Sequence, residues 1–351
     1  MNNILEYLER TAEKYPGRIA VEDDKEALTW KELADLSRRI GTAAGKRIAS
    51  GDPVVILAPK GPLTLAAMFG AVYGGGFYVN GDPALPPRRL KEIFRVLRPK
   101  LVLIRPEEIP LIRQAGYTGD YCLLHEAAGE EPDRELLERR RKDSCSEDIL
   151  YGIFTSGSTG TPKGITVSHR AVIDFITHFT EIFGIDEKDR IGNQAPFDFD
   201  VSVKDIYSAV MTGAALVLIP RQLFSVPAAL LDYLCEKKAT VLIWAVSALT
   251  MISSLGGFKY RIPSDVRKVM FSGEVMPANQ LACWQEALPE AEFVNLYGPT
   301  EITCNCTYYP VQKVPGEGEK LPIGKAFPGR RVFLLNEEGG EIREPEQAGE
   351  I

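Results

Sequence analysis

Apolar positions recur along the chain in two alternating rhythms. Residues 4–12 have apolar side chains at helical spacing, and the pattern stops before Tyr15-Pro16-Gly17. Ile19-Ala20-Val21 predicts a short strand. Thr29 suits an N-cap for a helix over 30–40, with Leu33, Leu36 and Ile40 on one face. A buried strand follows at 54–58, then a helix at 63–73 closed by Gly74-Gly75-Gly76. Next come a strand at 77–79, a helix at 88–97 opened by Pro86-Pro87, and an apolar strand at 101–104. After a charged stretch over 127–148, in which 135–142 predicts a solvated helix or connection, the alternation resumes. It predicts strands at 149–155, 165–167, 215–219, 240–245, 268–271 and 292–296, and helices at 170–183, 203–212, 227–237 and 278–287. From Lys320 the texture changes, and 331–335, 336–340 and 341–342 predict a hairpin with a Glu-Glu-Gly-Gly turn.

Strands alternating with helices imply an α/β fold of two layered lobes with largely parallel sheets. The expected division is one lobe over about 1–148, a second over 149–319, and a small β-rich segment over 320–351. The 351 residues, 45% of them hydrophobic, are enough for sizeable cores without disulfide staples. A formal charge of −7 argues against a broadly basic nucleic-acid binder, and the longest apolar-leaning run, 241–252, falls short of a membrane span. The acidic opening segment, with Glu6, Glu9 and Glu13, is no secretory signal, so the expected setting is cytoplasmic. The six cysteines show no zinc-site spacing and are expected to be reduced. Neither a metal nor a catalytic role is assigned to His125, His169 or His178.

The stretch Thr155-Ser156-Gly157-Ser158-Thr159-Gly160-Thr161-Pro162-Lys163-Gly164 carries the most chemistry. Its glycines let the backbone approach a ligand, its hydroxyls and N–H groups can donate to anionic oxygens, and Lys163 adds a point charge suited to a polyphosphate. It is not a Walker loop, because Pro162 precedes the lysine and Gly164 follows it. On composition alone the loop also fits a mobile turn. Its order, however, resembles the phosphate loop of the adenylate-forming superfamily: adenylation domains of peptide synthetases, acyl-CoA synthetases and luciferases. The resemblance recurs at Leu28-Thr29-Trp30-Lys31-Glu32-Leu33, at 74–87, at Phe199-Asp200-Val201-Ser202, and at Asn295-Leu296-Tyr297-Gly298-Pro299-Thr300-Glu301. Pro322-Ile323-Gly324 and Gly349-Glu350-Ile351 resemble later landmarks.

The resemblance implies attack of a carboxylate on the α-phosphorus of ATP, giving an acyl-adenylate and pyrophosphate. By that resemblance Thr155, Ser156, Gly157, Ser158, Thr159, Gly160, Thr161 and Lys163 hold the β- and γ-phosphates, and Glu301 ligates Mg²⁺. Tyr297 stacks on adenine with Asn295 near its amino group, and Gly273 and Glu274 lie along the base. Leu296, Gly298 and Pro299 belong to the same motif, and Thr300 sits near the α-phosphate. Thr155, Lys163, Thr300 and Glu301 are the catalytic set. Asp200, at the position that pairs with a substrate ammonium in amino-acid-activating branches, implies an amino acid substrate; the neighbouring Asp198 is its rival. The remaining pocket maps onto Val201, Lys204, Ile243, Met270, Ser272, Leu296, Cys304 and Asn305. Lys204 either pairs with an acidic or carboxamide side chain or points to solvent.

Residues 199–207 and Gly273-Glu274-Val275-Met276-Pro277 are similar to D-alanine:carrier-protein ligases, but Ser272 stands where those ligases have cysteine. The expected function is amino-acid adenylation for transfer to the phosphopantetheine thiol of a carrier protein. An acyl- or aryl-CoA ligase and a non-catalytic nucleotide-binding module are the alternatives. Within the resemblance, the ribose-binding aspartate and the small C-terminal lid domain with its catalytic lysine lie beyond Ile351. The expectation is therefore a truncated chain that adenylates poorly alone.

Overall fold

The computed structural model describes residues 3–156, 162–316, 319–344 and 347–351. Among these residues the strands form two large sheets and one two-stranded ribbon. The six-stranded sheet runs in the order Asp120–Leu123, Leu101–Ile104, Pro53–Leu57, Phe77–Gly81, Ile149–Ser156, Pro162–Ser168. Only its last pair is antiparallel. The nine-stranded sheet holds a parallel block of Glu292–Tyr297, Lys268–Ser272, Val241–Ala245, Arg190–Asn193, Ala215–Leu218 and Ile19–Glu22. Antiparallel strands flank that block, Thr307–Pro310 and Lys325–Ala326 at one end and Ala27–Thr29 at the other.

The α/β class and largely parallel sheets agree with the sequence pattern. The sheets, however, do not divide at residue 148. The early strands Ile19–Glu22 and Ala27–Thr29 join the nine-stranded sheet, and Ile149–Ser156 with Pro162–Ser168 completes the six-stranded one. The chain crosses between the sheets, and one continuous core of buried apolar residues spans both. Such interleaving is invisible to local periodicity, which reports faces and not partners.

The expected strand at 240–245 forms as Val241–Ala245 and turns directly into a helix, Val246–Ser254, that the periodicity does not predict. The helix buries Val246, Ala248, Leu249 and Ile252 and leaves Met251 exposed. Two other expectations change. The charged stretch carries a helix, Arg134–Lys142, that is docked and not simply solvated. Leu136 and Leu137 are buried, and Arg140 Nη2 donates to the Gly45 carbonyl at 3.0 Å. The late hairpin is shorter than expected, with Leu334–Leu335 paired to Glu341–Ile342 and the Asn336 side chain accepting from Gly340 N at 2.7 Å. Among the described residues no helix is long and apolar enough to cross a membrane, and all six cysteines are free thiols.

In the nine-stranded sheet the strand after Arg190–Asn193 lies on one side of it and the next lies on the other. The order reverses there, which opens a crevice at the carboxyl ends of the strands. Residues 194–200 emerge from that crevice and lead into the helix Val201–Thr212.

The expected cap at Thr29 is formed as a capping box. Its hydroxyl accepts from Glu32 N at 3.3 Å, and the Glu32 carboxylate accepts from Thr29 N at 2.8 Å. The Thr29 backbone N–H, and then the Thr29 hydroxyl donating to the same carboxylate at 2.8 Å, hold the Glu32 carboxyl below its usual range. Thr29→Ala should cost about 1 kcal/mol of stability, read as a lower midpoint in urea with an unchanged slope.

Candidate active site

Thr155 and Lys163 stand opposite each other in the antiparallel pair that ends the six-stranded sheet. Gly157, Ser158, Thr159, Gly160 and Thr161, the heart of the expected phosphate loop, lie outside the described residues, and so does the side chain of Ser156. The loop is braced where it begins, because Arg89 Nη2 donates to the Thr155 carbonyl at 3.2 Å. Where it ends, Lys163 Nζ reaches Glu301 Oε1 at 3.1 Å. Glu301 lies in the single turn Thr300–Ile302, which follows a strand of the other sheet. The pair therefore ties the two sheets together at the mouth of the site. Its own backbone N–H, and then Lys163, hold the Glu301 carboxyl below the usual range, so it stays ionised at neutral pH.

Strand alternation in Glu292–Tyr297 places Asn295 and Tyr297 on one face and Leu296 on the other. Asn295 Nδ2 donates to the Pro322 carbonyl at 2.9 Å, which fixes its amide, and the Tyr297 ring remains 37% exposed. Gly273 follows the end of Lys268–Ser272 with φ +95°, a conformation that favours glycine, and Glu274 is exposed beside it. Gly298 is demanded by close approach. A Cβ there would lie 2.5 Å from the Asn305 Cα and 2.7 Å from the Cys306 nitrogen. Between these two backbones the chain turns through Thr303 (φ +65°) and Cys304 (φ +70°). Two successive non-glycine residues in the left-handed region are strained, at about 1–3 kcal/mol each.

That strained turn delivers Cys304 and Asn305 to the start of the helix Val201–Thr212. Cys304 Sγ donates to the Asp200 carbonyl at 3.3 Å, and Lys204 Nζ donates to Asn305 Oδ1 at 2.7 Å. Burial pushes the Cys304 thiol up to about 12, so it is no nucleophile. The Tyr151 hydroxyl is buried near Cys304 and Asp200. Ile243, Met270 and Leu296 come from three strands of one sheet face and join the same core, with Ser272 one register step further on. Lys204 is 1% exposed, which rules out the solvent-pointing alternative. The structure also separates the two rival aspartates. Asp198 lines a cavity of about 950 Å³ between the sheets, near Asp82 and Arg221, whereas Asp200 acts on Tyr151 and Cys304. Among the described residues that cavity meets the Phe199-Asp200-Val201-Ser202 motif at Phe199 and Val201.

Residues 8–351 match the family described as AMP-binding enzyme. The chain belongs to that family. It is 31% identical to the D-alanine–D-alanyl carrier protein ligase of Bacillus velezensis, over 99% of this chain and 69% of the ligase. It is 28% identical to tyrocidine synthase 1 of Brevibacillus parabrevis, over 96% of this chain and 30% of the synthase. The crystal structure of VinN shares the fold with a TM-score of 0.85 at 23% identity, over 99% of this chain and 87% of VinN.

Among the described residues no three His, Cys, Asp or Glu side chains gather into a metal cage. A lone exposed carboxylate, Glu301, is what Mg²⁺ takes when phosphate oxygens supply its other ligands.

Sequence reasoning missed a polar group beneath the site. Lys60 Nζ donates to the Asn193 side chain at 3.0 Å and to the Gln194 carbonyl at 3.2 Å, and Asn193 Nδ2 donates to Asp205 Oδ2 at 2.7 Å. Burial lowers Lys60 to about 8 and raises Asp205 to about 7. Tyr78 and Tyr207 hydroxyls share a buried bond of 2.8 Å. The available signal was Lys204-Asp205 set inside the apolar helix 201–212, where charged residues are buried only for a reason.

Gly298→Ala should force apart the strand end and the Asn305 backbone, at about 1–3 kcal/mol of stability. Urea unfolding and nucleotide binding check it. Unchanged values for both would show that the close approach is not needed.

Proposed function

We propose that the protein activates an amino acid, joining its carboxylate to the α-phosphorus of ATP and releasing pyrophosphate, for loading onto a carrier-protein phosphopantetheine thiol. The observation that carries this reading is the Lys163–Glu301 pair, 138 residues apart in sequence and 3.1 Å apart in space. It sits at the end of the phosphate-loop hairpin and next to the turn that leads to Asp200. Support also comes from the carrier-protein ligase among the relatives. ATP use and unpaired thiols agree with a cytoplasmic setting.

Two anions must meet in this reaction, so the protein has to neutralise and align them. Both side chains of the pair are mostly solvated, so reassigning them costs little: Lys163 to phosphate oxygens, Glu301 to Mg²⁺. The bound ion supplies charge neutralisation on the triphosphate. The substrate ammonium is anchored by Asp200, with the buried Tyr151 hydroxyl in electrostatic reach of it. One carboxylate oxygen then forms a bond to the α-phosphorus while the bond to the pyrophosphate leaving group breaks. Thr155, Thr300 and the loop residues Ser156 to Thr161 line the phosphates, and Gly273, Glu274, Asn295, Tyr297, Gly298 and Pro299 border the base. The pocket floor is Val201, Lys204, Ile243, Met270, Ser272, Leu296, Cys304 and Asn305.

Asp200→Ala in the full-length protein should abolish amino-acid-dependent pyrophosphate exchange and leave ATP binding nearly unchanged. Equal loss of both would sink the anchor role. Exchange driven as well by the deaminated acid would favour an acyl-CoA ligase.

A further inference from the structure

Residues 194–200 join the strand Arg190–Asn193 to the helix Val201–Thr212 and contain neither helix nor strand. The cavity of about 950 Å³ lies against them, lined by Gln194 to Phe199 and by Val201. A segment backed by open space gains little from packing on that side, so its placement depends on hydrogen bonds.

Those bonds arrive from the other sheet. Lys60 follows the strand Pro53–Leu57 and meets the segment where it leaves Arg190–Asn193. Its Nζ donates to the Asn193 carbonyl at 3.2 Å, to Asn193 Oδ1 at 3.0 Å and to the Gln194 carbonyl at 3.2 Å. An ammonium has three protons, so each finds an acceptor. Asn80, in the strand Phe77–Gly81, donates from Nδ2 to the Phe197 carbonyl at 3.1 Å. The six-stranded sheet thus grips the segment at Gln194 and again at Phe197. Asn193 is fully buried and passes the grip on, donating to Asp205 Oδ2 at 2.7 Å on the helix that follows Asp200. Asp205 also lies in electrostatic reach of Lys60.

The charge on Lys60 matters to this grip. Bonds from an ionised donor are about twice as strong as neutral ones. A neutral amide in its place has two protons for three acceptors. Downstream, the Asp200 carbonyl accepts from Cys304 Sγ at 3.3 Å. Asp200 therefore hangs between a tether from one sheet and a turn from the other.

Building on the proposed function, we infer that Lys60, with Asn80, is a positioning residue for the amino acid. It fixes residues 194–200 from the six-stranded sheet and so sets where the Asp200 carboxylate meets the substrate ammonium. Lys60 acts through this segment and not on the substrate.

The test is pyrophosphate exchange by the full-length protein, with KM measured separately for ATP and for the amino acid that wild type uses best. Lys60→Met should raise KM for the amino acid by about ten- to a hundredfold and leave KM for ATP within about twofold. Lys60→Gln restores two of the three donors and should recover part of that loss. Hydrogen exchange should show the amides of 194–203 opening faster in Lys60→Met, with those of 163–168 unchanged. An unchanged amino acid KM in Lys60→Met overturns this inference and leaves the proposed function standing. An equal rise in both KM values, with faster exchange throughout the chain, makes Lys60 a general stabilising group and overturns it as well. No exchange by wild type with any L- or D-amino acid removes the proposed function, and this inference with it.

Discussion

The approach of Gly298 to the backbone of Asn305 and Cys306 is the constraint on which the site depends. On one side of it the chain runs through Pro299 and Thr300 to Glu301, which reaches across to the hairpin of the other sheet. On the other side it runs back through the strained Thr303 and Cys304 to Asn305, which reaches down to Lys204. In the proposed function a short segment thus addresses two chemistries that must be registered against each other, the phosphates and the acyl group. The strain at Thr303 and Cys304 is tolerated because both flanks are fixed. Cys306 N donates to the Tyr297 carbonyl at 2.8 Å, and Cys304 Sγ is bonded to Asp200. A looser turn would leave the two ends to move independently.

Much of this was legible in the sequence because it is local. Alternating periodicity marks the strands, Thr29 with Glu32 marks a cap, and motifs such as Phe199-Asp200-Val201-Ser202 mark the site's edges. What was not legible is what depends on long-range partners. Nothing around Ile19 says that this strand pairs with Ala215–Leu218, nearly two hundred residues away, and not with the strands that follow it. Nothing around Lys60 says that it faces Asn193. The fate of Lys204 was open for the same reason. A lysine near a helix start is exposed by default, but this helix is buried on nearly all sides and Asn305 arrives from the far end of the chain to accept from the ammonium.

Topology explains why these distant residues meet. Parallel strands need crossovers, so their carboxyl ends emerge on one edge, and the chain order reverses beside Arg190–Asn193. The residues that follow that strand, up to Asp200, occupy the crevice. The strands Val241–Ala245, Lys268–Ser272 and Glu292–Tyr297 deliver their last residues to the same place. In the proposed function the acyl pocket is therefore lined by strand ends on a rigid sheet, while the phosphates are assigned to the stretch between two antiparallel strands. Rigid lining suits discrimination between side chains, and a loop suits a nucleotide that must enter and leave.

The buried charges under this crevice form a chain. Lys60 donates to Asn193 and the Gln194 carbonyl, Asp205 accepts from Asn193, and Lys204 donates to Asn305, with Asp205 in electrostatic reach of both lysines. Burial brings Lys60 to about 8 and Asp205 to about 7, so near neutral pH neither is fully charged. Asp205 is therefore a partial counter-charge at best, and it is turned toward Asn193 instead of the pocket. A protein gains little stability from such an arrangement, since apolar residues of similar volume pack as well or better. Its value lies in register: Asn193, Asp205, Lys204 and Asn305 tie the strand before the crevice, the helix after it and the Thr303–Cys304 turn into one polar frame.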